Sequence, residues 1–281
     1  MTRLPRRLLL KLVPAAALST SACSPRNLIK GRLPNLSAGL RAMTFNIQSA
    51  RRGLDGIAQL IRQVEPDVVA LQEVDRFSTR ANGLDQTAEL AERTGMGHCC
   101  HFRATRYFQG DYGVALISRY PLEDQTQLQL PRLGEEEPRT VGRARITVRG
   151  RAVSVYVTHL ANALANTALR KQQSQAILAL IQADPHAKLV MGDLNDGADS
   201  DAVRVLSGAL RDAFDTAGEG PSGTYPLPLF LPTLRLDYVM ASTELRPLRS
   251  FVIHSQASDH YPLVAEFHLE GAEVQQVAAG L

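Results

Sequence analysis

Several apolar runs end in polar or titratable residues that strand propensity does not favour. Asn46 follows Met43 to Phe45, Glu73 follows Val68 to Gln72, His159 follows Val153 to Thr158, and Asp193 and Asn195 follow Leu189 to Gly192. Asp237 sits inside LDYVM, and Asp259 and His260 stand just before the last apolar run. Carboxylates, amides and imidazoles are the side chains that bind hard cations, orient water and move protons. A set recurring at one end of the strands is where a site would be built. Taken singly, each has an ordinary explanation as a helix cap, a turn former or a hydrogen-bonded histidine. Only the set points to chemistry.

The elements that must carry the set follow from hydrophobic periodicity. Strands are expected at Leu40 to Ile47, Asp67 to Gln72, Gly113 to Ser118, Arg143 to Val148, Ala152 to His159, Lys188 to Met191, Leu236 to Met240, Phe251 to His254 and Leu263 to Leu269. Helices are expected at Leu54 to Val64, Gln86 to Arg93, Thr167 to Gln182 and Asp201 to Leu210. Polar, proline-bearing stretches at Leu122 to Thr140 and Gly218 to Leu234 read as long functional loops. There are too many strands for one doubly wound sheet of this length, and no composition break divides the chain. The expected architecture is therefore α/β, two packed sheets flanked by helices in one domain over residues 40–270.

With 281 residues, 44% hydrophobic and 21% charged, the composition excludes disordered, collagen-like and polytopic membrane classes. Arg3, Arg6 and Arg7 precede a mostly apolar Leu8 to Leu18, and Ser19 to Ala22 lead into Cys23, which is the layout of an export signal over residues 1–22. RRLLLK also resembles a twin-arginine signal. Lys11 and Pro14 interrupt a segment too short for a comfortable membrane span. Small residues before Cys23 suggest a lipoprotein processing site, although Thr20 departs from the usual Leu. Acylation of Cys23 would tether the domain through a linker at residues 23–39 to a bacterial envelope membrane. The formal charge of +3 includes Lys11 and the three arginines, so cleavage leaves a nearly neutral chain, a poor basis for sequence-blind nucleic-acid binding. The run HCCH at His98 to His101 is expected to be the end of a strand and not a zinc site, because adjacent side chains in extended chain face opposite ways. Residues 271–281 read as an unstructured tail.

Seven blocks in order resemble the endonuclease/exonuclease/phosphatase superfamily: TFNI, LQEVD, YGVALISRYPL, VYVTHL, GDLND, LDYVM and SDHYPL, from about Arg41 to Phe267. The resemblance implies a four-layer α-β-β-α sandwich of two mixed sheets and hydrolysis of a phosphate ester with Mg²⁺ or Mn²⁺. In that pattern Glu73 is the main metal ligand, helped by Asn46 and Asp259. Asp237 would fix the tautomer of His260, Asp193 would orient the attacking water, Asn195 would hold a phosphoryl oxygen, and His159 would protonate the leaving alkoxide. Asp193 and His260 both remain candidates for general base. Tyr112 and Arg76 are candidate phosphate contacts, and Arg139 a weaker one that reads as solvated or paired with Glu135 to Glu137.

Gln48 stands where many nuclease members carry an acid, and Gly113 replaces an Asn common in nucleases. These departures, the absence of Trp and 5% aromatic content argue against a DNA-directed role, though a surface nuclease is kept as an alternative. The expectation is an exported, monomeric phosphoesterase, most simply a phosphodiesterase. The rival from another class is a binding module that kept the fold and lost turnover.

Overall fold

A computed structural model describes residues 39–227 and 233–269. In chain order the strands and helices are β1 (Gly39–Asn46), α1 (Leu54–Val64), β2 (Val68–Arg76), α2 (Gln86–Thr94), β3 (His98–Tyr107), β4 (Gly110–Ser118), β5 (Glu123–Gln129), β6 (Thr140–Val148), β7 (Arg151–His159), α3 (Thr167–Ala183), β8 (Ala187–Asp193), α4 (Asp201–Ser207), β9 (Arg211–Asp212), α5 (Ala213–Ala217), β10 (Gly218–Glu219), β11 (Asp237–Ala241), β12 (Leu245–Val252) and β13 (Leu263–Leu269). They form a seven-stranded sheet ordered β10-β12-β13-β1-β2-β4-β3 and a six-stranded sheet ordered β5-β6-β7-β8-β11-β9. Both sheets are mixed: β1 runs parallel to β2 and antiparallel to β13, and β7 runs parallel to β8 and antiparallel to β6.

Alternation along the strands builds the layers. Ala42, Val68, Ala70, Val114 and Leu116 of the first sheet share one buried core with Val153, Val155, Leu189, Met191 and Val239 of the second. The outward residues Tyr156, Val190, Tyr238 and Met240 are covered by Ile177 and Ile181 of α3 and by Ala202, Val203 and Leu206 of α4. On the other side α2 lies against β2 and β4, with α1 beside it. The helix ends are written in the sequence. Asp85 caps α2 by accepting from the Thr87 and Ala88 amides, and Gly95 closes it at φ 71.

Two stretches expected to be loops are tied down. Leu122 to Thr140 contains β5, an edge strand whose seven residues are all exposed and which pairs with β6. With neither face buried it has no apolar alternation to announce it. In the second stretch Thr224 and Tyr225 bond to Leu234, while residues 228–232 lie outside the described residues. The export signal, Cys23, most of the linker and the tail also lie outside them. The HCCH run is the start of β3: His98 and Cys99 are exposed, Cys100 is buried, and the His101 Nε2 lies 3.2 Å from Val74 O. Among the described residues no helix is long and apolar enough to cross a membrane.

One buried ion pair locks the first sheet. Arg41 on β1 donates from Nε to Glu266 on β13 at 2.9 Å and from Nη1 to Val64 O at 2.7 Å, with Arg41 3% exposed. Removing either partner strands a buried charge. Glu266→Ala is expected to destabilise the protein by about 3–5 kcal/mol, read as a fall in Tm of roughly 10 °C; a shift under 2 °C would show the pair to be dispensable.

Candidate active site

Strand register assembles half of the site. Parallel pairing sets His159 of β7 opposite Asp193 of β8, and antiparallel pairing sets Asp193 opposite Asp237 of β11. With strands about 4.8 Å apart, the three side chains form a row across one end of the six-stranded sheet. Gly192 permits it: its φ is 151°, and an added Cβ would fall 2.0 Å from Thr158 O. Asn195, also in left-handed backbone at φ 51, follows the row and commits one amide N–H to Leu160 O at 3.0 Å.

The other half stands at the matching end of the seven-stranded sheet. Leu71 pairs with Ala115 and Val74 with Gly113, so Gln72 and Glu73 together oppose one residue of β4. That β-bulge turns Glu73 into left-handed backbone at φ 56. Asn46, ending β1, donates from Nδ2 to Glu73 Oε1 and to Asp193 Oδ2, each at 3.1 Å, and so bridges the two sheets. Immediately beyond it Gln48, Ser49 and Ala50 are all left-handed, at φ 50, 51 and 52, a conformation costing of order 1–3 kcal/mol per residue. The turn is held by Gln86 Nε2 on Ser49 O and Arg80 Nη2 on Ser49 Oγ. Its own Gln48 Nε2 donates to Asp259 Oδ2 at 2.6 Å. Gln48 thus positions an acid in place of being one.

His260 completes the cluster from the loop before β13. Its Nδ1 lies 2.8 Å from Asp237 Oδ2, its ring packs 4.8 Å from Tyr225, and Tyr261 N bonds to Thr224 O. Thr224 Oγ1 in turn accepts the Asp237 amide. One oxygen is the meeting point: Asp193 Oδ2 lies 3.1 Å from Asn46 Nδ2, 3.5 Å from His159 Nε2 and 3.7 Å from His260 Nε2.

The two imidazoles are driven in opposite directions. His159 is held well below the usual imidazole range by burial, by the Arg139 guanidinium and by His260, so its contact with Asp193 is not an ion pair. Burial also works against charge on His260, but Asp237 and Asp193 outweigh it and push it up to about 10. Burial raises Asp193 to about 7, aided by repulsion from Asp237. Burial likewise raises Glu73.

Of the two alternatives the sequence offered for Arg139, solvated or paired with Glu135 to Glu137, the structure shows the pairing: Nη1 lies 2.8 Å from Glu137 Oε1. The side chain is 3% exposed, and Nη1 also lies 3.0 Å from His159 Nδ1. Guanidinium nitrogens only donate, so Nδ1 of His159 accepts and its proton resides on Nε2. The Arg139 Nε is buried without a partner. Arg139, His159 and Tyr112 line one small cavity. Arg76 is instead held by Asp85 at 2.8 Å, over the Phe77 ring, so the buried arginine brought to the row is Arg139. A roomier cavity than this one lies elsewhere, between Leu128, Val141, Tyr156 and Leu180.

Glu73, Asp193, Asp237 and Asp259 bring four carboxylates to a rim whose facing cations are His260 and Arg139, the latter shared with Glu137. Asp237 Oδ1 is buried and unpartnered. Such an excess of hard oxygen donors fits a divalent cation. Asp193, Asp237 and His260, with ligand atoms all within 4.8 Å of one another, form a candidate donor set. Glu73 and Asp259, the ligands that the sequence resemblance implies, are tied to Asn46 and Gln48: Asn46 Nδ2 donates to Glu73 Oε1, Asn46 Oδ1 accepts the Gln48 amide, and Gln48 Nε2 donates to Asp259 Oδ2.

Comparison with known proteins agrees with this geometry. The profile of the Endonuclease/Exonuclease/phosphatase family matches residues 43–260. The uncharacterized protein YbhP of Escherichia coli (strain K12) is 31% identical over 258 residues, covering 82% of this chain and 96% of that protein. Among solved structures, an endonuclease/exonuclease/phosphatase from Beutenbergia cavernae DSM 12333 has a TM-score of 0.69 at 26% identity, covering 84% of this chain and 73% of that one. The human Nocturnin catalytic domain with bound sulfate has a TM-score of 0.65 at 21% identity, covering 83% and 94%, and shares the fold.

Proposed function

The chain belongs to the endonuclease/exonuclease/phosphatase family, and from that premise we propose that it is an exported phosphodiesterase, dependent on Mg²⁺ or Mn²⁺, that works at a bacterial envelope. The observation that carries the reading is the convergence of Asn46, His159 and His260 on the single oxygen Asp193 Oδ2. A binding module that had lost turnover would have no need to keep a carboxylate buried between a neutral and a cationic imidazole.

The cation would be held by Glu73, Asp259 and Asn46, and when bound it supplies positive charge that offsets the phosphate and polarises the P–O bond. The protein's own groups divide the remaining work. Asp193, buried and raised, accepts the proton of the attacking water and orients it. His260, kept cationic by Asp237, meets the charge that builds on the phosphoryl oxygens. This arrangement favours Asp193 over His260 as general base. Because burial, aided by Arg139, keeps His159 neutral and the Arg139 contact leaves its proton on Nε2, His159 serves as a hydrogen-bond donor to the leaving oxygen and is a weak proton source. The unpartnered Arg139 Nε–H and the second amide N–H of Asn195 are donors for phosphoryl oxygens. Arg139 therefore takes the clamp role expected of Arg76.

Hydrolysis of bis(p-nitrophenyl) phosphate tests the reading: turnover with Mg²⁺ or Mn²⁺ and quenching by EDTA are expected, and inactivity with both metals would refute it. The rate should follow a bell. It rises as Asp193 deprotonates near pH 7 and falls as His260 loses its proton near pH 10, the apparent values belonging to the coupled set. Raising metal concentration should move the acid limb to lower pH, since a nearby cation favours the carboxylate. A flat profile from pH 5 to 10 would contradict the assignment. Export and acylation are read from the mass of the mature N-terminus, expected to begin at modified Cys23; an unmodified Cys23 removes the lipid anchor.

A further inference from the structure

The three large aromatic side chains that stay exposed among the described residues lie together beside the catalytic rim: Phe77 at 56%, Tyr107 at 45% and Phe108 at 48%. Tyr107 and Phe108 form the tip of the hairpin between β3 and β4, and Phe77 follows β2. The segment after Phe77 is stitched to that tip, because Thr79 donates from N and Oγ1 to Phe108 O, and a Cβ on Gly110 would fall 2.3 Å from Ser78 N. Beneath the rings lies Arg80, 4.9 Å from the Phe108 centroid and 5.1 Å from that of Tyr107. Asp75 grips its guanidinium with both oxygens at 2.8 Å. The Tyr107 and Phe108 rings therefore rest on a fixed base, and Phe77 stacks on Arg76, itself held by Asp85. Phe77 and Phe108 also sit in left-handed backbone, φ 57 and 48, which a bulky residue adopts at a cost. Rings held outward on strained backbone do nothing for the core.

The patch reaches the site. The Tyr107 ring is 5.9 Å from Tyr112, which lines the cavity shared with Arg139 and His159. It is also cationic: the exposed side chain of Arg106, next to Tyr107, meets no acid among the described residues, and Arg103 reaches Asp111 only at 3.3 Å.

We propose that this edge docks on an anionic phospholipid surface, with Phe77, Tyr107 and Phe108 entering the headgroup layer, Arg106 facing the lipid charge, and the active site taking phosphodiesters presented there. The substrate part rests on the phosphodiesterase reading. Tyr107, a ring with a polar tip, and arginines with a long stem suit that layer, and the apolar rings of Phe77 and Phe108 suit its boundary with the acyl chains. The chain outside the described residues supports this occupant. Cys23, the expected acylation point, is separated from β1 by the fifteen residues from Ser24 to Ala38, able to span up to about 50 Å. β1 enters at the end of its sheet away from Asn46, and its eight residues rise about 26 Å. A tether of that length lets the rim turn down onto the membrane in which it starts. A single-stranded nucleic acid is the poorer occupant, because it calls for a cationic groove that tracks a backbone, and the patch is a hairpin tip.

The chain from Ser24 to Leu281 keeps every described residue and removes the acyl chain from the measurement. It is expected to sediment with phosphatidylglycerol-containing vesicles and weakly with phosphatidylcholine alone. Phe77→Asn with Phe108→Asn suits left-handed backbone, and should reduce that binding at least tenfold with Tm within a few degrees. Arg106→Glu should reduce it severalfold on the anionic vesicles only. Both variants should hydrolyse soluble bis(p-nitrophenyl) phosphate within twofold of the parent. No sedimentation of the parent, or undiminished sedimentation of the double variant, would overturn the proposal. So would loss of oligonucleotide binding in place of vesicle binding. A parent that binds vesicles but leaves the soluble diester intact would overturn the phosphodiesterase reading and the substrate part, and uphold the docking surface.

Discussion

Asp193→Asn is expected to lower kcat on a soluble phosphodiester by about 10³-fold or more while leaving the fold intact. Asp193 is 1% exposed and faces Asp237, which lies opposite it in register, so burial and repulsion hold its carboxyl near 7. A carboxyl raised above its unfolded value near 3.9 favours the folded state while protonated. That advantage is lost as the pH rises through about 7. Above that pH the ionised side chain weighs against folding, and the amide removes that charge while keeping the shape and an oxygen to accept the Asn195 amide. Its NH2 then faces Asn46 Nδ2 and the Nε2 atoms of His159 and His260, which offsets the gain. The expected result at pH 8 without added metal is a Tm within a few degrees of the parent. Loss of activity with a collapsed Tm would make Asp193 a structural residue, and kcat within tenfold would remove it as the base.

Glu73→Gln should abolish turnover, by about 10³-fold or more, and with it most of the response to metal. Glu73 sits on a β-bulge in left-handed backbone with its carboxyl raised by burial and by Asp259, an arrangement that favours a cation over its absence. Ligand at a hundred times its Kd stabilises the folded state by about 2.7 kcal/mol, roughly 5–10 °C for a domain of this size. The parent should show that rise with Mg²⁺ or Mn²⁺ and lose it in EDTA. The variant, isosteric and able to keep the Asn46 contact through its amide oxygen, should fold normally without it. An unchanged metal-dependent rise would place the cation elsewhere, in the Asp193, Asp237 and His260 set. His260→Ala should likewise abolish turnover, but with the metal response largely intact, which separates the two residues.

The same chemistry explains what could be read from the sequence. The core strands and α1 were legible because each buries a face: Ile57, Ile61 and Val64 repeat at helical spacing, and α1 falls at Leu54–Val64 as the periodicity predicts. β5 was hidden because it has no buried face. β12 begins at Leu245, six residues before the predicted start, since Arg246, Pro247 and Arg249 with a register shift at Pro247 mask its alternation. β9 and β10, of two residues each, carry no pattern at all.

The site shows the same division. Residues ending strands, such as Asn46, His159 and Asp193, stood out because polar groups there are unexpected. Thr224 and Ser49 did not, because their roles depend on which strand lies beside which and on left-handed turns. Arg139 ranked only as a weaker candidate, since it reads as one more charge beside EEE until β6 and β7 pair and carry it to His159. Arg76 misled for the opposite reason: it is near Glu73 in sequence, yet Asp85, the cap of α2, takes its guanidinium. The unpartnered Nε of Arg139 is visible only in the fold.

The central claim is that the two sheets bring their carboxylates around one cation within reach of Asp193. Anomalous diffraction from crystals grown with Mn²⁺ measures this directly. The account predicts a peak bounded by the carboxylates of Glu73 and Asp259 and the amide oxygen of Asn46. A fully occupied peak elsewhere, or none at saturating Mn²⁺, would contradict it.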